Sequence, residues 1–189
     1  MSLTQSQLAR QERMLEVATK LATDGGFDAV QMRTVAVDAD VALGTLYRYF
    51  PSKEHLLVSA MLRQIGELAI RLTVKPPSGL EPTERVVDVL RRANQALQRQ
   101  PQFTLAVVRA LASGDETVAP AVRQVRESMR SIILAAIGDG TSPRDELVAE
   151  ILEEVWLSAL VSWISGVDSA QSVVRKLADA TGLLFEARG

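Results

Sequence analysis

Residues 31 to 57, QMRTVAVDADVALGTLYRYFPSKEHLL, constrain the fold of this chain more than any other stretch. Met32, Val35, Ala36 and Ala39 recur at helical spacing and predict an inward face, with Arg33 and Thr34 outward. The turn Asp40-Val41-Ala42 must bend sharply, with Val41 as an apolar plug between two helices. In the next helix Leu46 and Phe50 share one face and point into a small core. Leu43, Gly44, Thr45, Tyr47, Arg48 and Tyr49 are left on or near the other side. Pro51-Ser52-Lys53 then ends that helix and starts another. This is the layout of a helix-turn-helix.

The rest of the chain reads as helix too, since no segment combines period-two alternation with β-branched enrichment and turns at both ends. The expected fold class is all-α. A first helix spans roughly Ser6 to Asp24 and stops at Gly25-Gly26. Helices follow at about Met32 to Ala39, Leu43 to Phe50 and Ser52 to Val74. Lys75-Pro76-Pro77-Ser78-Gly79 is the strongest breaker in the chain. Five further helices are expected at about 81–99, 101–113, 115–137, 144–165 and 168–186, with Gly138-Asp139-Gly140 as a turn. The expected organisation is a three-helix DNA-binding unit over 1–55 and a larger helical unit for ligand binding and dimerisation over 56–189.

Composition narrows the function classes. Cysteine is absent, which removes disulfides, thiolate catalysis and Cys-based zinc sites and fits a reducing cytoplasm. No signal peptide is evident, and no stretch reaches the ~18 apolar residues of a membrane span, so no membrane partner is expected. The net charge of −2 argues against non-specific coating of nucleic acid. Residues 1–55 hold six Lys/Arg against seven Asp/Glu, but Arg33, Arg48 and Lys53 cluster around the proposed reading head. The lone histidine, His55, starts a helix where a surface or packing role is expected, and Glu150, Glu153 and Glu154 have no histidine nearby for a metal site. No Gly-rich phosphate loop appears. Neither an enzyme nor a cofactor is expected.

Major-groove reading needs a short helix with small or polar residues at its start and hydroxyl and cationic groups further along. Gly44 has no side chain to hold the helix away from base edges, while Tyr47, Tyr49 and Lys53 can reach flanking phosphates. The run Val41-Ala42-Leu43-Gly44-Thr45-Leu46-Tyr47-Arg48-Tyr49-Phe50-Pro51-Ser52-Lys53-Glu54 resembles the recognition-helix signature of the TetR family of transcriptional repressors. The preceding Gly-Gly-Phe-Asp-Ala-Val-Gln-Met-Arg fits that family's join between first and second helices. The resemblance implies that Arg33 contacts base or phosphate, that Leu43, Gly44, Thr45 and Tyr47 enter the groove, and that Tyr49 and Lys53 hold phosphates. Two positions depart from the pattern: Asp40 stands where glycine is usual, and Ala42 where a Ser helix cap is frequent. Leu43 replaces a frequent polar residue, so contact with a thymine methyl is expected there.

Within the family, residues 154–163 together with 30–33 and 44–53 most resemble the repressors of sterol (cholesterol) catabolism in actinobacteria. That resemblance implies an apolar inducer, a steroid acid or its coenzyme A thioester, and a double-stranded DNA operator. Helix 144–165 is apolar nearly all round, whereas one buried face needs about a third of the circumference. A second copy of the chain is the natural partner for the surplus, paired through this helix and 168–186. Leu90, Asn94, Leu97, Phe103, Val107, Leu111, Met129, Ile133, Trp156, Leu160 and Trp163 are the candidate lining of a ligand cavity. Asn94 is expected at a solvated position, and Arg123, Arg126 and Arg130 as a solvated row with local ion pairs, although that row could meet an acyl-CoA phosphate. The competing function is a helical small-molecule-binding protein without DNA-binding activity.

Overall fold

A computed structural model describes residues 4–138, 140 and 142–186. Among these the chain forms helices and no strand: α1 (Gln5–Ala29), α2 (Met32–Asp38), α3 (Leu43–Tyr49), α4 (Lys53–Val74), α5 (Pro82–Gln98), α6 (Pro101–Leu111), α7 (Ala119–Ile137), α8 (Pro143–Ile164) and α9 (Ala170–Glu186). The expected element borders hold to within a few residues. One difference in kind is a short 3-10 turn, Glu116–Val118, ahead of α7. There Asp115 caps the turn by accepting from the Thr117 N–H at 2.9 Å, a local bond that competes with continuous helix.

Two compact units result. The first holds residues up to Gln64 together with Gln100–Val125; the second holds Ile65–Arg99 and the chain from Arg126 onward. In the first, α1 packs on α6 and α2, and α2 on α3. Met14, Ala18 and Ala22 of α1, Leu46, Phe50 and Leu56 form its buried interior, beside Phe103 and Ala106 of α6. In the second, α9 packs on α5 and α8, burying Val86, Leu90, Leu97, Leu152, Val173 and Leu177.

Helix ends follow local chemistry. Thr4 and Gln7 form a capping box at the start of α1, with the Thr4 N–H donating to Gln7 Oε1 at 2.7 Å. Ser142 and Asp145 do the same for α8. Gly26, at φ 70°, breaks α1 from helical geometry as the glycine pair predicted. Of the expected Gly138-Asp139-Gly140 turn, both glycines have positive φ and Asp139 lies outside the described residues.

The turn between α2 and α3 is a Schellman motif built without glycine. Asp40 takes φ 52°, its N–H donates to Val37 O at 3.1 Å, and the Val41 N–H donates to Ala36 O at 2.9 Å. A left-handed conformation strains most side chains, and Asp tolerates it better than most. Ala42, the residue before α3, offers no side-chain cap.

The Lys75–Gly79 breaker is pinned rather than loose. Arg92 donates to Lys75 O at 2.7 Å and Pro76 O at 3.1 Å, and the Ser78 N–H donates to Asp88 Oδ2 at 3.0 Å. Asp88 is buried on α5 and also pairs with Arg91 and Arg92. Burial pushes its carboxyl pKa up, but the Ser78 N–H and the two guanidinium groups outweigh that and hold it below the ordinary carboxylate value.

Ala42→Ser should supply the missing cap and raise stability by about 1 kcal/mol, and Asp40→Gly should add up to about 1 kcal/mol by relieving the left-handed residue; chemical denaturation of each variant measures both. Asp88→Ala should cost about 1–2 kcal/mol, because the Ser78 N–H and the two arginines lose their acceptor. With its folded pKa depressed, Asp88 stabilises the protein above its unfolded pKa, and that share disappears as pH falls through the folded value. The wild-type-to-variant gap in melting temperature should therefore shrink as pH is lowered from 7 towards 3.

Candidate functional site

The reading head rests on two buried anchors. Leu46 and Phe50 are both buried, and they fix which face of α3 looks outward. Gly44, Tyr47 and Arg48 are exposed, and Leu43, Thr45 and Tyr49 are half-buried. On α2, Val35, Ala36 and Ala39 are buried, Arg33 is exposed and Thr34 is half-buried. Arg33 has no ion pair among the described residues, which leaves its charge available to an external anion. Arg48 lies 5.9 Å from the Tyr49 ring centroid. No atom lies within 4 Å of the place a Cβ would occupy on Gly44. The bare backbone there serves no internal packing, which holds also for Gly66, Gly114, Gly140, Gly166 and Gly182, so it is the place of Gly44 on the outward face of α3 that sets it apart.

Two expected phosphate contacts are turned towards the protein. The Lys53 ammonium sits 3.9 Å from the Phe27 ring centroid and donates to Phe27 O at 3.3 Å. Arg109 lies 4.1 Å from the same ring and pairs with Asp28 at 3.4 Å, so Phe27 is held between two cations. Tyr49 borders an open cleft of about 760 Å³ in the first unit, with Leu15, Phe50, His55 and Leu62. Burial lowers the His55 pKa, which the charge of Asp115 partly opposes, and its Nδ1 lies 3.4 Å from Ser59 Oγ. A packing role for His55 fits these surroundings.

The candidate ligand lining divides between the units. Phe103, Val107 and Leu111 belong to the first, where Phe103 and Val107 are buried and Leu111 is half-buried. Leu90, Asn94, Leu97, Met129, Ile133, Trp156, Leu160 and Trp163 belong to the second. There all but Trp163 are buried, and Trp163 is half-buried.

Asn94 corrects the expectation of a solvated side chain: it is fully buried. Neither atom of its carboxamide has a hydrogen-bond partner, nor has the Trp156 indole N–H. The pattern of a polar residue among helical positions suggested solvent, but the α5 face that carries Leu90 and Leu97 also carries Asn94 inward. The arginine row has the expected local ion pairs: Arg123 and Arg126 are exposed and Arg130 is half-buried, and Arg126 and Arg130 approach Glu153 at 3.5 and 4.0 Å. Glu153 is buried on α8, a placement that spacing had not singled out. Desolvation raises its pKa, and the Arg130 and Arg126 charges oppose the rise without cancelling it. No cluster of potential metal ligands and no helix long and apolar enough to cross a membrane occurs among the described residues.

Comparison with known proteins places this arrangement. Residues 14–60 match the family described as "Bacterial regulatory proteins, tetR family", and residues 79–184 match "Tetracyclin repressor-like, C-terminal domain". The chain is 42% identical to the HTH-type transcriptional repressor KstR of Rhodococcus jostii (strain RHA1), over 95% of this chain and 84% of that one. It is 38% identical to KstR of Mycobacterium tuberculosis (strain ATCC 25618 / H37Rv), over 96% and 83% respectively. A crystal structure of a TetR transcriptional regulator from Rhodococcus sp. RHA1 superposes with a TM-score of 0.88 at 34% identity, covering 95% of this chain and 97% of that one. These relatives are transcriptional regulators rather than enzymes. With a helix-turn-helix over α2 and α3 and both family domains in sequence, the chain belongs to the TetR family of transcriptional regulators.

Proposed function

We propose that this protein is a dimeric repressor that occupies a palindromic DNA operator and is released from it by a large apolar inducer, a steroid acid or its coenzyme A thioester. The observation that carries the DNA half is the outward face of α3, where Gly44, Tyr47 and Arg48 stand exposed over the buried Leu46 and Phe50, with exposed Arg33 on α2. In this reading Arg33, Thr34, Leu43, Gly44, Thr45, Tyr47 and Arg48 face the major groove, while Tyr49 and Lys53 swing to flanking phosphates. Residues 1–55 act as the DNA-binding unit and 56–189 as the unit for ligand and dimer, in the cytoplasm.

The surplus apolar surface supports the dimer. Leu147, Leu157 and Val161 share one exposed face of α8, and Leu183 is 69% exposed on α9. A two-fold dimer would cover that face and match a symmetric operator. The sterol class rests on the motif resemblance together with the KstR relatives. Release needs a ligand that favours one spacing of the two reading heads over the other, with a coupling of about 1–3 kcal/mol.

The acidic overall balance favours one other reading, a helical small-molecule binder that has lost DNA recognition. A mobility shift on a palindromic operator at several salt concentrations separates the two, since a DNA reader gives a specific and salt-sensitive complex.

Tyr47→Ala should abolish operator binding, with about 1–3 kcal/mol lost in each half-site, and leave the dimer intact. Gly44→Ala should be at least as stable as wild type, yet bind the operator more weakly because its methyl stands against the groove. Unchanged operator affinity in both variants would sink the assignment of α3 as recognition helix. Leu157→Arg should convert the dimer to monomer in sedimentation, and a variant that stays dimeric at micromolar concentration would exclude this face as the interface.

A further inference from the structure

The second unit buries polar atoms that have no partner within the chain. Most of its other buried polar groups are settled locally: Asp88 by Ser78 and two arginines, Asp145 by Ser142, and Thr181 by Leu177 O at 2.7 Å. Asn94 and Trp156 are different. Both carboxamide atoms of Asn94 and the Trp156 Nε1 are enclosed without a hydrogen bond, while buried Glu153 has the charges of Arg126 and Arg130 beside it. Buried polar groups are nearly always satisfied, so these unsatisfied ones call for a partner that is not part of the chain.

Counted along the helices from one shared contact, they fall at similar heights, in one tier of the unit. Arg85 of α5 donates to Ala136 O and Ile137 O at the end of α7, both at 2.8 Å, so the start of α5 lies beside the end of α7. Asn94 is nine residues on from Arg85, about 14 Å along the helix at ~1.5 Å per residue. Arg130 and Arg126 lie about 9–15 Å back along α7 from Ala136 on the same scale. These are the residues that meet Glu153, and Trp156 stands one turn beyond it on the buried stripe of α8. Around this tier the unit is apolar, with Leu90, Leu97, Met129, Ile133 and Leu160 buried.

We propose that the Asn94 carboxamide and the Trp156 indole N–H form the polar pole of the ligand site and hydrogen-bond a single neutral oxygen, ketone or hydroxyl, on an otherwise apolar molecule. The proposal rests on the reading of this unit as the ligand-binding one. An oxygen can accept from Asn94 Nδ2 and Trp156 Nε1 together, and a hydroxyl can also donate to Asn94 Oδ1. A carboxylate end fits this pole poorly. It would stand near the Glu153 carboxyl, whose burial already works against its charge, and Arg126 is shared between Glu153 and Glu154. An acidic or thioester end of the same ligand would therefore lie away from Asn94.

The test uses the full-length protein and three probes delivered from one cyclodextrin carrier: cholesterol, cholest-4-en-3-one and the hydrocarbon cholestane. Affinity is read from the ligand-induced shift in melting temperature for wild type, Asn94→Leu and Trp156→Phe. Wild type should bind the two oxygenated sterols about tenfold or more tighter than cholestane, because a site built to hydrogen-bond an oxygen rejects the analogue lacking it. Both variants should lose most of that preference while binding cholestane as well as wild type does. Asn94→Leu should also melt higher than wild type without ligand, since it removes an unpartnered buried amide. Equal wild-type binding of all three probes, or a preference that survives Asn94→Leu, overturns the polar pole and leaves a sterol-binding unit standing. A lower melting temperature for unliganded Asn94→Leu means an internal water or structural partner and overturns it as well. Failure of wild type to bind any of the three overturns both this proposal and the sterol reading beneath it.

Discussion

A helix of seven residues has little stability of its own in water, where isolated helices shorter than about 12–15 residues are marginal. α3 persists because Leu46 and Phe50 are buried beneath it, and losing either would open a cavity worth about 2–5 kcal/mol. Those two anchors do more than stabilise. They fix the rotation of α3 about its axis, so the exposure of Gly44, Tyr47 and Arg48 follows from the burial of their neighbours. α2 is equally short and depends on Val35, Ala36 and Ala39 in the same way. The outward chemistry of the reading head is thus a consequence of its inward packing, and the Asp40 turn is the joint that lets two short helices share one small core.

That joint shows what a linear reading can and cannot recover. Breakers announce themselves through backbone physics. Gly26 adopts the positive φ that its place after a helical pattern predicted, and Asp40 adopts it without glycine's freedom. The inward face of α2 and α3 was equally legible, because 3.6-residue periodicity is a property of the chain itself. Asn94 was not legible. Its neighbours at helical spacing are apolar, yet an amide carries no label saying whether it faces water or an interior. Only the packing of its helix decides that. Glu153 was hidden for the same reason, among three glutamates of which two are not buried.

The placement of α6 marks a further limit. Phe103 and Val107 have the composition of a cavity wall and the burial of one, but they belong to the unit that contains α1. Periodicity reports that a face is buried and is silent about which partner buries it. Thr23 and Gln64, far from Gln100 in sequence, both hydrogen-bond its side-chain oxygen, at 3.4 and 3.3 Å. Long-range contacts of this kind assign α6 to its unit, and no local pattern contains them.

The two halves of the chain therefore advertise function in opposite ways. In the reading head, function shows as polar and small residues left outside, where sequence resemblance is most specific. In the second unit it shows as polar atoms kept inside, against the cost of desolvating an amide and an indole N–H without a partner. A leucine at position 94 would remove that cost, and in the proposed site the asparagine is offset by an occupant that completes its hydrogen bonds. Glu153 sharpens the same argument through charge. Its carboxyl is raised in pKa by burial even with two guanidinium groups beside it, so this interior resists additional negative charge. In the proposed site an occupant would be selected for shape by the surrounding leucines and isoleucine, and for a neutral oxygen by the Asn94 carboxamide and the Trp156 indole N–H.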